Sequence, residues 1–268
     1  MTDPKEYYIS CFRSPYDGME ITEEQYSILE TASIELKKLL FEIDYYPIVM
    51  KNVQEFIRFC EGEQLERKES TDFINLNRLF ANWINSFYMW IEYHEKHYNE
   101  LFALMKSSFF DSYYSYRFAY NLRRYTTHNT MPITVRETDG LTGNTRYLID
   151  SKPMWDTSSG VQGIFARELF QNGIESIDAF HMAKDFVSMF QAIQINIWNE
   201  LQTPLCETLM SVHNIVPVTD ISFCNAYVHR ESDHASLPIG HQMKYLIDKS
   251  QATGYDFYSS FHSELAEQ

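Results

Sequence analysis

The chain has 268 residues, of which 44% are hydrophobic, and its mean hydropathy of −0.36 indicates a globular protein with a buried core. Its 9 Gly and 8 Pro follow no periodic pattern, which excludes a fibrous repeat and low-complexity disorder. The net charge is −15, from 22 basic and 37 acidic residues. Such a chain is unsuited to indiscriminate binding of nucleic acid or anionic membranes, so only a local basic island would contact a polyanion.

The cysteines and the N-terminal sequence predict the cellular compartment. The four cysteines form no C-x-x-C pair, which favours reduced thiols over disulfides or a zinc site. The first ten residues lack the basic and apolar segments of a signal peptide. Charged residues interrupt every hydrophobic stretch before it reaches the length of a membrane span. We therefore expect a cytoplasmic protein that makes no membrane contact.

Apolar residues at helical spacing predict a series of helices in the first half of the chain. Two are expected at residues 21–41 and 46–61, with a proline near the start of the second. One long helix is expected from residue 71 to about residue 106, because apolar residues recur there every three or four positions. Two serines, Ser107 and Ser108, are expected to break it and to begin a further helix. Long helices with short connections predict an antiparallel bundle.

The pattern changes after Pro132. Two short β-type runs flank glycine-containing turn residues, which predicts a β-hairpin over residues 133–150. Further helical periodicity follows between residues 164 and 213, and no linker or internal repeat divides the chain. We predict a single mostly helical domain over residues 1–268, an antiparallel helical bundle with a small β-hairpin insertion or appendage.

A basic island lies between residues 112 and 136. This segment contains four arginines and one histidine but no aspartate or glutamate, although the chain as a whole is acidic. On a helical wheel its apolar residues form one stripe, and a polar stripe lies beside it. The polar stripe consists of Arg117, Asn121, Arg124 and His128, while Arg123 projects further from the apolar face.

The residue types of this island suit two different roles. Arginine binds phosphate through two N–H groups and histidine moves protons near neutral pH, so the two together suit phosphodiester chemistry without a metal. RNA supplies its own nucleophile, the 2′-hydroxyl group. The same residue types are also favoured at the C-terminus of a helix, where they interact with the last carbonyl groups and the helix dipole. The residues alone leave both roles open.

The string Leu122-Arg-Arg-Tyr-Thr-Thr-His128, followed by Met131-Pro-Ile133, resembles the signature of HEPN-domain proteins. That signature is an arginine and, after four to six residues, a histidine near the end of a helix in an all-α bundle; Arg123 and His128 match it. The resemblance covers about residues 71–133. It implies a metal-independent RNA endonuclease of a toxin or phage-defence type, with Arg123 and His128 as its catalytic residues. It also implies a homodimer in which two motifs share one RNA-binding cleft and, for some relatives, an antitoxin partner.

Further residues of the island are expected to contact RNA in such a cleft. The RNA-binding candidates are Arg124, Arg117, Asn121 and Tyr120, with Tyr113 and Tyr116 as further exposed aromatic residues along the groove. One position departs from the family, because Arg124 stands where Asn, Asp or His is usual. This departure favours an alternative, a HEPN-like module that binds RNA or a protein without cleaving RNA. A further alternative is a helical protein–protein interaction scaffold in which the basic residues only cap a helix.

Two histidines resemble a metal-binding helix motif. His94 and His97 are three positions apart, whereas a zinc-binding helix needs a spacing of four to direct both side chains at one ion. A solvated helix face is expected instead. The sequence therefore predicts no metal site and no cofactor.

Overall fold

The computed structural model describes residues 6–10, 18–66, 71–128, 131–152, 167–169, 171–216 and 226–252. The described chain is mostly helical and has two small antiparallel sheets, which confirms the predicted fold class at this level. A HEPN-like arrangement of the helices stays a prediction. The long helices are α1 (Glu23–Leu65), α2 (Phe73–His97), α3 (Asn99–Ser112), α4 (Tyr114–His128), α5 (Ala179–Ile215) and α6 (Ile239–Ala252). The strands are β1 (Tyr7–Ser10), β2 (Met19–Glu20), β3 (Ile133–Thr138), β4 (Thr145–Asp150), β5 (Ser176–Asp178), β6 (Tyr227–Arg230) and β7 (Ala235–Leu237).

The chain divides into two compact units. One unit consists of Met1–Asp44 and Ile197–Gln268, and the other of Tyr45–Asn196. Both divisions fall inside helices, one within α1 and one within α5. The single domain expected from the sequence stays a prediction.

The unit that contains both termini is built around a small sheet. Its described strands have the order β2-β1-β6-β7, and all neighbours are antiparallel. Tyr8 of β1 is fully buried, and its ring stacks on the ring of His229 in β6 at a centroid distance of 4.7 Å. The buried Ser33 of α1 donates a hydrogen bond from its hydroxyl to the amide oxygen of Gln242 in α6, at 2.9 Å. A buried aromatic stack thus joins two strands of this unit, and a buried hydrogen bond joins two of its helices.

The unit Tyr45–Asn196 has an aromatic core. The indole of Trp83 in α2 lies at its centre, edge-on to Phe80 at 5.4 Å and to Phe186 of α5 at 5.2 Å. Phe118 of α4 lies 6.5 Å from Trp83. Edge-to-face rings each contribute about 0.5–1.5 kcal/mol beyond the burial of their area. The apolar stripe predicted for α2 is buried at Leu76, Phe80, Ile84, Phe87 and Ile91, whereas its first residue, Phe73, is half-buried.

The predicted hairpin is present and is tied to α2. Strands β3 and β4 pair antiparallel from Ile133 to Thr138, and β5 adds a third strand. The buried side chain of Asn77 in α2 holds its first residue, because its amide nitrogen donates to the carbonyl oxygen of Ile133 at 2.8 Å. Its amide oxygen accepts the backbone N–H of Ile133 at 2.9 Å. One side chain therefore satisfies both backbone groups of the residue that begins the hairpin.

The predicted helix boundaries between residues 71 and 128 are wrong. The first break falls at Tyr98 (φ −133°, ψ 38°), not at Ser107 and Ser108, which lie inside α3. The second falls at Tyr113 (φ −120°, ψ 113°). Aromatic packing accounts for the first corner, because Phe102, buried one turn beyond it, packs edge-on against Trp90 of α2 at 5.7 Å. A straight helix would carry Phe102 away from this contact.

Helix α1 is continuous where a new helix was expected. Pro47 lies inside it rather than near the start of a second helix. A proline in a helix interior costs about 3 kcal/mol because it lacks the N–H donor. The fully buried Ile43 and Val49 on either side of Pro47 indicate that burial outweighs this cost.

Replacing Asn77 by alanine tests the link between α2 and the hairpin. We expect Asn77→Ala to lower the free energy of unfolding by about 2–4 kcal/mol, because two buried backbone groups of Ile133 lose their partner. Asn82→Ala, at an exposed position of the same helix, is the matched control and should change it by less than about 0.5 kcal/mol. Urea unfolding of both variants measures this, and equal effects would contradict the assigned role of Asn77.

Candidate functional site

Helix α4 carries two half-buried arginines of the basic island, Arg117 and Arg123, and packs its apolar side into the core. Phe118, Ala119 and Leu122 are fully buried. No glycine or proline interrupts the segment from Tyr114 to His128, so the helix continues to its last basic residues. The C-terminal half of α4 therefore packs its apolar side against the core and carries Arg123, the arginine that matches the HEPN signature.

The guanidinium group of Arg123 is held by two residues of α2. Its Cζ atom lies 3.2 Å from the ring centroid of Tyr88, which is the geometry of a cation–π contact. Its Nη1 atom lies 3.5 Å from Oε1 of Glu92. The two charged side chains are 36% and 53% exposed, so the pair is accessible to solvent. Burial raises the pKa of the Tyr88 phenol above its usual value, and the positive charge of Arg123 opposes that rise.

The other members of the predicted motif end the same helix. His128 is the last residue of α4, and Arg124 lies one turn before it. Arg123 and His128 are five positions apart along the chain, a rise of about 7.5 Å in an α-helix. The side chains of Arg124 and His128 lie outside the part of the structure that is described. Their proposed roles therefore rest on their positions in the helix.

The polar stripe predicted from the helical wheel is wrong at Asn121. This side chain is only 3% exposed, and its amide nitrogen donates to the carbonyl oxygen of Arg117 at 2.6 Å. The wheel places it beside Phe118 and Leu122, and all three residues are buried. Direct contact of Asn121 with RNA would require it to leave this position. Arg117 remains near the surface, with Nη1 3.8 Å from Oε1 of Glu168.

The predicted row of exposed tyrosines is also wrong in part. Tyr116 is fully buried and packs edge-on against Phe87 of α2 at 5.5 Å, and this burial raises the pKa of its phenol. Tyr113 occupies the break between α3 and α4 and is half-buried. Tyr120 is half-buried as well, and its hydroxyl accepts a hydrogen bond from Nζ of Lys106 at 3.4 Å. Only Tyr113 and Tyr120 therefore reach a surface where a base would stack.

Sequence reasoning missed the residues of α2 and α3 that surround the arginine. Tyr88 and Glu92 are four positions apart, so one helix face carries both beside Arg123. Lys106 of α3 pairs with Glu95, one turn further along α2. The spacing of Tyr88, Glu92 and Glu95 indicates that they share one face of α2. Their partners Arg123 and Lys106 lie on other helices, and the sequence does not show which helices pack together.

Neither a metal site nor a membrane-spanning helix is found among the described residues. In that part of the chain, no group of three His, Cys, Asp or Glu residues is arranged to hold a metal ion. His94 is buried, and its Nδ1 lies 2.7 Å from the carbonyl oxygen of Trp90, so the solvated position expected for it is wrong. None of the described helices combines the length and the apolar character that crossing a membrane requires.

Comparison with known proteins identifies no relative. No family model matches the sequence, and neither a curated protein nor a solved structure matches it.

A double-mutant cycle tests the contact between Arg123 and Tyr88. We expect Arg123→Met and Tyr88→Leu to show a coupling free energy of about 0.5–1 kcal/mol in urea unfolding, the magnitude of a solvent-accessible cation–π contact. The control cycle pairs Arg146→Met with Tyr88→Leu and should give no coupling, because Arg146 lies in the hairpin and pairs with Glu137. Equal coupling free energies in the two cycles would contradict an interaction between Arg123 and Tyr88.

Proposed function

We propose that this protein is a metal-independent ribonuclease that resembles HEPN-domain proteins and uses Arg123 and His128. The observation that carries the proposal is the presentation of Arg123 at the surface of α4 by the ring of Tyr88, within two turns of His128 at the end of the same helix. Three other residues of the matching string have packing roles: Leu122 and Ile133 are fully buried, and Pro132 is buried with them. Packing therefore explains the apolar part of the signature and leaves Arg123 and His128 for chemistry.

The reaction needs a base, an acid and a positive charge at the phosphate. The 2′-oxygen of the ribose attacks the adjacent phosphorus while its proton passes to the imidazole of His128. The bond from phosphorus to the 5′-oxygen breaks, and an imidazolium returns a proton to that oxygen. The products are a 2′,3′-cyclic phosphate and a 5′-hydroxyl end. Arg123 stabilises the negative charge that develops on the transferring phosphoryl group.

The contact with Tyr88 suits Arg123 to this role. Stacking uses the flat face of the guanidinium group, whereas phosphate is bound through its N–H edges. The ion pair with Glu92 is solvent-accessible, and pairs of this kind contribute about 0–1 kcal/mol. A phosphate group with a full negative charge therefore competes with the Glu92 carboxylate for the arginine.

The resemblance extends the proposal to assembly and biological role. Two copies of the chain would bring two Arg123–His128 motifs into one cleft, so that one histidine acts as base and the other as acid. A toxin or phage-defence protein of this type acts on cellular RNA and, in some cases, binds an antitoxin. The acidic chain restricts RNA binding to the basic island, because the net charge of −15 repels RNA elsewhere.

Cleavage of end-labelled cellular RNA in the presence of EDTA tests the ribonuclease. We expect the wild type to cut and to leave 2′,3′-cyclic phosphate ends. Arg123→Ala and His128→Ala should each lower the rate by at least about a hundredfold, because each removes a charge or a proton-transfer group from the transition state. Arg146→Ala, which removes an exposed ion-paired arginine of the hairpin, is the matched control and should cut like the wild type. Thermal unfolding establishes that each variant is folded, and equal rates for all of them would contradict the proposal.

One observation favours the alternative of an RNA-binding module without cleavage. The carboxylate of Glu92 forms an ion pair with Arg123, the arginine that should bind the phosphate. In addition, a second arginine, Arg124, stands where the family usually has a small polar residue or histidine. A binding module and an enzyme then differ in turnover but share the basic surface.

Replacing Glu92 by glutamine tests that shared surface. We expect Glu92→Gln to tighten RNA binding by up to about fivefold at low salt, because phosphate no longer competes with a carboxylate. Fluorescence anisotropy with labelled single-stranded RNA measures the affinity, and Glu55→Gln on α1 is a control at another acidic side chain. Weaker binding by Glu92→Gln would contradict a competing role for the carboxylate. If both the wild type and Glu92→Gln bind RNA but neither cuts it, the protein is an RNA-binding module rather than a ribonuclease.

A further inference from the structure

A cavity of about 560 Å³ lies among α2, α3 and α4, beside the proposed site. This volume is within the range of small-molecule pockets, roughly 300–1,000 Å³. Three of its lining residues are aromatic, namely Phe102, Phe110 and Tyr120, and Glu95 and Lys106 add one carboxylate and one ammonium group. Aromatic walls with a few polar groups are typical of sites that bind a flat heterocycle.

The polar pair in the cavity retains hydrogen-bonding capacity. Nζ of Lys106 donates to the carboxylate of Glu95 and to the hydroxyl of Tyr120. An ammonium group has three donors and a carboxylate has about four acceptor sites, so among the described residues these bonds do not saturate either group. The two side chains are 27% and 41% exposed, which leaves both accessible to a ligand. Burial lowers the pKa of Lys106, but its hydrogen bonds to Glu95 and Tyr120 outweigh this and raise it overall, so the group stays charged.

The cavity is adjacent to the arginine of the proposed site. The ring of Tyr120 lies 6.3 Å from the ring of Tyr88, and Tyr88 is the ring on which Arg123 stacks. Tyr120 and Arg123 are also three positions apart on α4. A nucleotide whose phosphate binds Arg123 would therefore have its base next to this cavity.

We propose that the cavity binds a guanine base of the RNA substrate, an inference that rests on the proposed function. The base stacks on the ring of Phe110, as unpaired RNA bases do on aromatic side chains, and the ring of Tyr120, which stands at 88° to that of Phe110, borders the edge of the base. On one edge, guanine carries two neighbouring N–H donors, which the Glu95 carboxylate accepts, and a carbonyl oxygen, to which Lys106 donates.

The carboxylate selects against the other bases. Adenine and cytosine turn a ring-nitrogen lone pair toward the position where Glu95 needs a donor, and uracil offers one N–H between two carbonyl oxygens. Each of these bases leaves a charged acceptor opposed by another acceptor, which is the usual physical origin of discrimination. If this site selects guanine, the protein is expected to cleave RNA next to guanosine.

Equilibrium binding of the four nucleoside 3′-monophosphates to the full chain tests this site directly. We expect guanosine 3′-monophosphate to bind roughly tenfold to a hundredfold more tightly than the adenosine, cytidine and uridine compounds. Glu95→Gln should abolish this preference, whereas Glu100→Gln, at an exposed position of α3, should retain it. Phe110→Ala should weaken all four nucleotides by about tenfold, because the stacking surface is lost. Isothermal titration calorimetry measures the affinities.

The outcomes separate the cavity from the ribonuclease. Equal binding of the four nucleotides, no binding of guanosine 3′-monophosphate, or an unchanged preference in Glu95→Gln would each overturn the guanine site. A wild type that cuts RNA without regard to guanosine would overturn the site while the ribonuclease stands. A wild type that binds guanosine 3′-monophosphate through Glu95 but cuts no RNA would keep the site and remove the ribonuclease.

Discussion

The packing of α4 against α2 through aromatic rings is the constraint on which the site depends. Phe118 contacts Trp83 and Phe80, and Tyr116 meets Phe87, so buried rings fix the rotation and the register of α4. Interiors packed at this density permit little sliding, because each displaced ring leaves a void. Because the buried side of α4 is fixed, Arg123 lies over the ring of Tyr88. For the same reason, Tyr120 forms part of the wall of the cavity. The charged groups are thus positioned by apolar contacts rather than by their own attraction.

The charges of this surface are balanced locally. Arg123 pairs with Glu92, and Lys106 pairs with Glu95, so both of these cations meet a carboxylate of α2. Two arginines of the basic island, Arg117 and Arg123, therefore each face a carboxylate in the folded protein. Such an arrangement disfavours non-specific attraction of polyanions and rewards a ligand that matches both signs of charge. A nucleotide does so, with an anionic phosphate for Arg123 and donors on a base for Glu95.

Much of the fold could be predicted from the sequence, because local patterns govern it. The apolar stripe of α2 and the turn residues of the hairpin each report the environment of a single element. The break at Tyr98 could not be predicted, since it depends on the contact of Phe102 with Trp90 across the corner. Tyr116 and Asn121 were assigned to the surface because a helical wheel does not show how wide a stripe the neighbouring helix covers. For the same reason, the motif indicated Arg123 but not its partners Tyr88 and Glu92.

The proposed mechanism depends on attack by the 2′-hydroxyl group of RNA, promoted by Arg123 and His128. A synthetic RNA with a single 2′-deoxyribose at the mapped cleavage site tests this most directly, because it removes the nucleophile and leaves the protein and the rest of the substrate unchanged. We predict that the wild type cuts the all-ribose strand in EDTA and leaves the substituted strand intact at that position. Cleavage of the substituted bond, or no cleavage of either strand, would contradict the account.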